Sequence, residues 1–261
     1  MRGAVLSTTF PTERTVILTG AASPRGIGRA TAFHLAELGW NVGIIDVDRE
    51  AAAQTAAEVA QAHGVRAVGV GANVADREQA VAAVDALEEQ LPQIVAVVNF
   101  AGVSSPVPYL EVSPEEWHRV ESINLDGVHW ITQRVARTLV DNGVGRIIGI
   151  SSVSAQRGGG TFSKTPYSAS KAGIIGLMRS IARELGPFGV TANVISPGPI
   201  DTDIMGGTLT EERKTAMAAD GVLPRIGTPT DIAAAVAFLI SENAGFVTGQ
   251  TLNVDGGLYM H

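Results

Sequence analysis

Tyr167 and Lys171 stand four residues apart in Tyr167-Ser-Ala-Ser-Lys171. On a helix this spacing puts both side chains on one face, with Cβ atoms roughly 5 to 6 Å apart. A phenol has an unperturbed pKa of about 10. A fixed ammonium beside it favours the phenolate and moves the hydroxyl towards a range useful for proton transfer at a reacting oxygen. Interconverting an alcohol and a carbonyl needs such a group. Ser152 lies just past an apolar run, Arg146 to Ile150, and its hydroxyl can bind the same oxygen. Taken singly, an amphipathic tyrosine and a capping serine are ordinary features. Their combination, and its place in the order of elements, points to chemistry.

The elements that must position these groups are read from hydrophobic patterning. Apolar, β-rich runs recur at Thr15 to Leu18, Asn41 to Ile45, Ala67 to Val70, Ile94 to Val98, Arg146 to Ile150, Thr191 to Ile195 and Thr251 to Val254. Their near-continuous hydrophobicity suits strands covered on both faces. Ala-rich segments of helical periodicity lie between them, such as Gly28 to Leu38, Glu50 to Gln61 and Glu78 to Gln90. Alternation of this kind predicts βαβ units and a parallel sheet. A long helix is signalled after Thr165, which can cap it, with Pro166 at its first position and Gly186-Pro187 ending it. Tyr167 then sits in its first turn. Residues 200–225 are polar and weakly periodic, and are expected to form a substrate loop or lid.

Strand Thr15 to Leu18 leads into Thr19-Gly20-Ala-Ala-Ser23-Pro-Arg25-Gly26-Ile27-Gly28 and a helix. Glycines there let the backbone approach a pyrophosphate, held by amides at the helix N-terminus. A tight βα connection is the alternative for the turn alone. Asp46 closes the second strand, where a carboxylate can accept hydrogen bonds from a ribose and repel a 2′-phosphate. Asn73, followed by Val74 after the third strand, can read an adenine edge or merely close an Asx-turn. After the fourth strand, Asn99-Phe100-Ala101-Gly102 lets the chain pass close to a nicotinamide ribose.

Composition bounds the rest. The chain has 261 residues, 45% hydrophobic and 17% charged, with a formal net charge of -7. Material for a core is ample, and the negative balance argues against nucleic-acid binding, which draws on clustered Lys and Arg. Zero cysteines exclude thiolate chemistry, and five scattered histidines show no metal-ligand spacing, so no metal site is expected. No apolar run approaches the roughly 20 residues that span a bilayer. Residues 1–13 read as an N-terminal extension without a signal-peptide core, residues 14–261 as one domain, and the expected location is the cytoplasm.

With these pieces in place, the sequence resembles the short-chain dehydrogenase/reductase family from about Thr15 to Gly257. The matching motifs are Thr19-Gly20 with Gly26-Ile27-Gly28, Asn99-Phe-Ala-Gly102, Asn124, Ser151-Ser152, Tyr167-Ser-Ala-Ser-Lys171, Asn193, Pro197-Gly198 and Asp255-Gly256-Gly257. The resemblance implies an α/β, single-domain, Rossmann-like, doubly wound parallel sheet with helices on both faces. It implies hydride transfer between NAD(H) and a secondary alcohol or ketone. Tyr167 would be the general acid/base and Ser152 the group orienting the reacting oxygen. Lys171 would lower the Tyr167 pKa and hold the nicotinamide ribose, and Asn124 would hold a water that extends the proton relay. Gly20, Ser23, Arg25, Gly26, Ile27, Asp46, Asn73, Val74, Asn99, Ala101 and Gly102 would contact the cofactor, as would Tyr167 and Lys171. Pro197, Gly198, Ile200 and Thr202 would border the nicotinamide. Family members are usually tetramers, and a homotetramer is expected.

Three departures stand out. The glycine loop carries two extra residues, Pro24 and Arg25 before Gly26; Phe100 replaces a second Asn; and the Ser152 to Tyr167 stretch is about two residues longer, through Arg157-Gly-Gly-Gly160. Arg25 stands where NADP-preferring relatives often have a basic residue, so NADP remains possible. Asp46 weighs more, because a carboxylate facing a phosphate dianion is repulsive at close range, and NAD is expected. Ser154, Gln156, Arg157, Phe162 and Met205 are candidate substrate-lining residues. Their polarity suggests a sugar, polyol or other hydroxylated compound. The alternative, favoured by Phe100, Phe162 and Met205, is a 3-oxoacyl or apolar ketone reductase using NADPH. A dinucleotide-sensing protein without turnover is a remote alternative, since Asn124, Ser152, Tyr167 and Lys171 are all present.

Overall fold

A computed structural model describes residues 9–160, 162–205 and 207–260, without the side chain of Met205. Among them, seven strands form one parallel sheet: β1 (Thr15–Thr19), β2 (Asn41–Asp46), β3 (Ala67–Gly71), β4 (Ile94–Asn99), β5 (Gly145–Ile150), β6 (Val190–Pro197) and β7 (Thr251–Val254). Their spatial order is β3-β2-β1-β4-β5-β6-β7. The expected fold is present. The order reverses between β1 and β4, and in such sheets the crevice at the carboxyl edge of the switch point receives the ligand.

Alternate residues of each inner strand feed opposite layers. From β1, Val16 and Leu18 pack with α1 (Ile27–Glu37), α2 (Arg49–His63) and α9 (Pro229–Leu239). Ile17 faces the other way, towards α3 (Arg77–Gln90), α5 (Gly127–Asn142) and α7 (Thr165–Leu185). Strands β1, β4, β5 and β6 are wholly buried, which is why their sequences are apolar on both faces. The edge strands β3 and β7 are only partly covered.

Local differences from the sequence reading have physical causes. Helix α7 is capped at Lys164, whose side chain makes no capping bond, so Thr165 is the first helical residue and Pro166 the second. Residues 200–225 are partly helical: a 3-10 turn at Asp203–Met205 precedes α8 (Glu211–Ala218), whose Thr210 side chain accepts from the Arg213 N–H. No α8 residue is fully buried, so it lacks a strong apolar stripe. The last part of the N-terminal extension is tied down: Phe10 packs edge-on against Trp40 at 5.8 Å, under the Arg146 guanidinium at 4.8 Å. Residues 1–8 of that extension lie outside the described residues.

Three further elements complete the surroundings of the cleft. Helix α4 (Pro114–Glu121) runs through a π-helical stretch, Ser122–Asp126, into α5. A single turn, α6 (Ser154–Arg157), follows β5.

Candidate active site

Strand β5 ends at Ile150, and the chain beyond it is stitched to α7 from both sides. The Ser151 hydroxyl donates to the Lys171 carbonyl at 2.7 Å, and the Lys171 ammonium donates to the Ile150 carbonyl at 2.8 Å. This fixes Ser152 beside the first turns of α7, where Tyr167 and Lys171 share a face. Lys171 Nζ lies 5.7 Å from the Tyr167 ring centre. Ser152 and Tyr167 are each 9% exposed and Lys171 4%. All three line one cleft of about 740 Å³.

Burial governs the titration of this pair in the ligand-free fold. It pushes the Tyr167 phenol above its ordinary value, against a hydrogen bond with Ser152 that works downwards. It also lowers Lys171 from 10.5 to about 8. The sequence expectation, an ammonium pulling the phenol down, thus meets a larger desolvation effect on both partners.

Asn124 sits at the centre of the π-helical stretch, fully buried. Its carbonyl oxygen accepts from the Val103 N–H at 2.8 Å, and its amide donates to the Val103 carbonyl at 3.0 Å and to the Ser170 hydroxyl at 3.1 Å. Both N–H donors are therefore committed to protein groups. The side chain clamps the loop after β4 against α7, which restricts its expected role as a water holder.

The dinucleotide side is built from close backbone approaches. Gly20 has φ +63°, and a Cβ there would lie 2.7 Å from the Ala101 main chain. Ala101 donates its N–H to the Thr19 hydroxyl at 3.1 Å, so the loops after β1 and β4 touch. A Cβ on Gly28 would meet the Gly20 carbonyl at 2.7 Å; one on Gly102 would meet Asn124 Oδ1 at 3.2 Å and Lys171 Nζ at 3.4 Å. The start of α1 has Gly26 as its cap and no side chain on its amides, leaving a positive helix end at the cleft. Asp46 accepts from the Ala22 N–H at 3.0 Å and from the Asp48 N–H at 3.3 Å, which holds its carboxylate at the end of β2.

The two extra loop residues, Pro24 and Arg25, form the bend of a turn closed by the Gly26 N–H donating to the Ser23 carbonyl at 2.9 Å. That turn projects Arg25 across the cleft, where its guanidinium pairs with Asp201 at 2.7 Å and Asp203 at 2.9 Å. Lys214 of α8 also binds Asp201, at 2.9 Å. Lys214 first, and Arg25 with it, hold the Asp201 carboxyl below the usual carboxylate range.

Of the expected cofactor residues, Gly20, Ser23, Gly26, Ile27, Gly102, Tyr167, Lys171, Pro197, Gly198, Ile200 and Thr202 line the cleft. Asp46, Asn73, Val74, Asn99, Ala101 and Arg25 lie around it. Asn73 uses its side-chain oxygen on the Ala75 N–H at 3.1 Å, the Asx-turn alternative. Val74 is buried, filling the space beside Gly127. Asn99 points under the sheet edge, donating to Thr132 at 3.1 Å and to the Ile148 carbonyl at 3.4 Å.

Among the substrate residues, Ser154, Arg157 and Phe162 line the cleft. Gln156 does not: its amide donates to Asn253 at 3.0 Å and its oxygen accepts from the Ser196 hydroxyl at 3.1 Å. The side chain of Met205 lies outside the described residues. The structure adds Asp203, Ile204, Arg213, Met217 and Asp220 to the wall. The carboxylates that meet Arg25, Asp203 of this wall and Asp201 beside it, carry a charge opposite to it, but only the fold brings them together. Among the described residues, no helix is long and apolar enough to cross a membrane, and no cluster of three or more His, Cys, Asp or Glu residues could hold a metal ion.

Known proteins match this arrangement over nearly all of its length. A family model described as Enoyl-(Acyl carrier protein) reductase covers residues 20–259. An uncharacterised short-chain type dehydrogenase/reductase of Sinorhizobium fredii is 38% identical over 248 residues, 95% of this chain and 98% of that protein. A 3-oxoacyl-(acyl-carrier-protein) reductase FabG of Staphylococcus aureus is 38% identical over 247 residues, with the same coverage. Among solved structures, a 3-oxoacyl-(acyl-carrier protein) reductase of Brucella melitensis with bound NAD superposes with a TM-score of 0.87 at 34% identity, covering 96% of this chain and 92% of that one. Conserved architecture and sequence together make the chain an oxidoreductase, and it belongs to the short-chain dehydrogenase/reductase family.

Proposed function

We propose that the protein reduces the keto group of 3-oxoacyl thioesters with NADH, using Tyr167 as proton donor. One observation carries the reaction type: two nearly buried hydroxyls, Ser152 and Tyr167, line the floor of one cleft beside the Lys171 ammonium. The dinucleotide fits the glycine approaches at Gly20, Gly28 and Gly102, the uncapped start of α1 and the Asp46 carboxylate. When bound, the nicotinamide supplies or accepts the hydride.

The chain's own residues do the rest. Ser152 donates to the substrate carbonyl oxygen and orients it. Tyr167 hands its phenolic proton to that oxygen as it becomes an alkoxide. Lys171 in its ammonium form stabilises the phenolate left behind and lies beside Gly102, where the ribose would pass. Asn124 acts as a positioning residue, holding Val103 and Ser170. In the alcohol-oxidising direction Tyr167 takes the proton back.

The thioester reading is favoured over a polyol by the relatives' substrates and by the wall itself, where Phe100, Phe162, Ile204 and Met217 are apolar. Gln156, a polar contact expected for a sugar, is turned away. NADH is favoured over NADPH because the Asp46 carboxylate is held at the end of β2, where it would repel a 2′-phosphate, and Arg25 is already paired with two carboxylates. Residues 14–261 are read as one catalytic unit. A homotetramer is supported by the fully exposed Phe246 and the half-exposed Phe238.

The test compares kcat/KM for 3-oxoacyl N-acetylcysteamine thioesters with NADH and with NADPH, alongside oxidation of sugars and polyols by NAD. Thioester reduction should dominate. Better turnover of a polyol would overturn the substrate assignment, and an NADPH advantage would overturn the cofactor assignment.

A further inference from the structure

Among the described residues, both carboxylates of the cleft wall are paired with an arginine, and of the wall's own two arginines one is paired and one is not. Asp203 is held by Arg25, and Arg157 lies 3.6 Å from Asp220. Lys171 gives one N–H to the Ile150 carbonyl and belongs to the floor of the cleft. Arg213, on α8, has no carboxylate within ion-pair distance among the described residues, although Glu211 stands two residues before it; that glutamate binds Lys214 at 2.9 Å. The Arg213 guanidinium lies on the face of Phe162, 4.7 Å from the ring centre.

This stacking has two consequences. The ring holds the guanidinium in place through cation-π attraction, and its N–H donors keep their hydrogen-bonding capacity at the edge of the plane. A planar fork of donors fixed in this way matches the oxygens of a phosphate, which it can bind at two points. Arg213 is half-buried and shares the cleft-facing side of α8 with Ala216 and Met217, three and four residues on. Phe162 comes from the opposite wall, on the lengthened arm after Gly158-Gly-Gly160. The site therefore joins α8 to the lengthened arm within the cleft that Ser152 and Tyr167 also line, beside apolar Ala216 and Met217, which suit an extended chain.

We propose that Arg213, stacked on Phe162, is the binding site for a phosphate at the far end of the substrate's thioester arm. The proposal rests on the 3-oxoacyl thioester reading and adds the anchor that reading lacks. Phosphate of this kind comes from two sources: the phosphopantetheine arm of a carrier protein, or the nucleotide end of coenzyme A.

The experiment measures kcat/KM for one 3-oxoacyl group carried on pantetheine, on 4′-phosphopantetheine and on coenzyme A, in the wild type, Arg213→Gln and Arg213→Lys. The wild type should prefer the phosphorylated carriers over pantetheine by tenfold or more. Arg213→Gln should bring that preference close to one, and Arg213→Lys should restore part of it. A loss for both phosphorylated carriers places the pantetheine phosphate at Arg213; a loss for coenzyme A alone places the nucleotide phosphates there. A phosphate preference that Arg213→Gln leaves unchanged, or its absence in the wild type, overturns the site. Failure of the wild type to reduce any of the three thioesters would instead overturn the underlying substrate reading. Raising the salt concentration should narrow the wild-type preference and leave that of Arg213→Gln unmoved.

Discussion

The floor of the cleft and its roof hold their functional groups by different means. Tyr167 and Lys171 stand on α7 and Ser152 just past the end of β5, where packing and short hydrogen bonds to the main chain leave each of them less than a tenth exposed. Arg25, Asp201 and Asp203 stand on connecting segments and meet through ion pairs, with side-chain exposures of 41%, 24% and 39%. Buried groups are expensive to move and their charges are felt strongly; exposed ion pairs are weak and exchangeable. The floor thus has the rigidity that the proposed proton transfer needs. The contacts of the roof are of the kind that salt and single substitutions disturb most easily.

The largest effect should come from the floor. Tyr167→Phe removes one hydroxyl from a buried ring, so the fold and dinucleotide binding should persist while keto reduction falls by about 10² to 10⁴, the usual contribution of a positioned acid. Single-turnover reduction with bound NADH, alongside a thermal melt, separates the two. Retention of a tenth or more of the wild-type rate would remove Tyr167 from the proton-donating role.

A second test asks whether burial governs the pair as the geometry implies. Lys171, lowered to about 8, is an ammonium below that pH and neutral above it, whereas Tyr167, raised, stays a phenol throughout. Reduction needs the phenol and the ammonium together. Its kcat/KM should be level below pH 8 and fall by up to tenfold per unit above it. In Lys171→Met the overall rate should drop and the limb near pH 8 should vanish. A limb unchanged in that variant would belong to another group.

The same contrast explains which parts were readable from residues alone. The inner strands are legible to within a residue or two because buried parallel strands write themselves as unbroken apolar runs, as in Ile94 to Val98, and the partly covered edge strands β3 and β7 keep enough Val and Leu to follow. The pair on α7 was readable because helix geometry converts a spacing of four into proximity. The roof obeys no such local rule. Helix α8 buries none of its residues completely, so its periodicity is faint, and Arg25 meets Asp201 across 176 positions of sequence. Polar side chains failed in a related way: Gln156, Asn99 and Asn124 each have several donors and acceptors, and only the folded surroundings decide which are spent. Asn73 was left between two uses by its sequence, and the structure shows the Asx-turn.

The smallest effect is expected at the roof. Arg25→Ala removes two partly exposed ion pairs, each worth about 0.2 to 1 kcal/mol, so dissociation of NADH should quicken by roughly twofold and by no more than about thirtyfold. The lengthened turn Ser23 to Gly26 stays intact, since Arg25 contributes no side-chain bond to it. Salt provides the control: between low ionic strength and about 0.5 M, where charges are screened within a few ångströms, the wild-type off-rate should rise towards that of the variant, which should itself respond little. Stopped-flow displacement of NADH, followed by its fluorescence, reads both. If Arg25→Ala instead slowed release or weakened NADPH binding far more than NADH binding, Arg25 would be a phosphate ligand rather than a clasp, and the roof would resemble the floor in holding a group dedicated to the ligand.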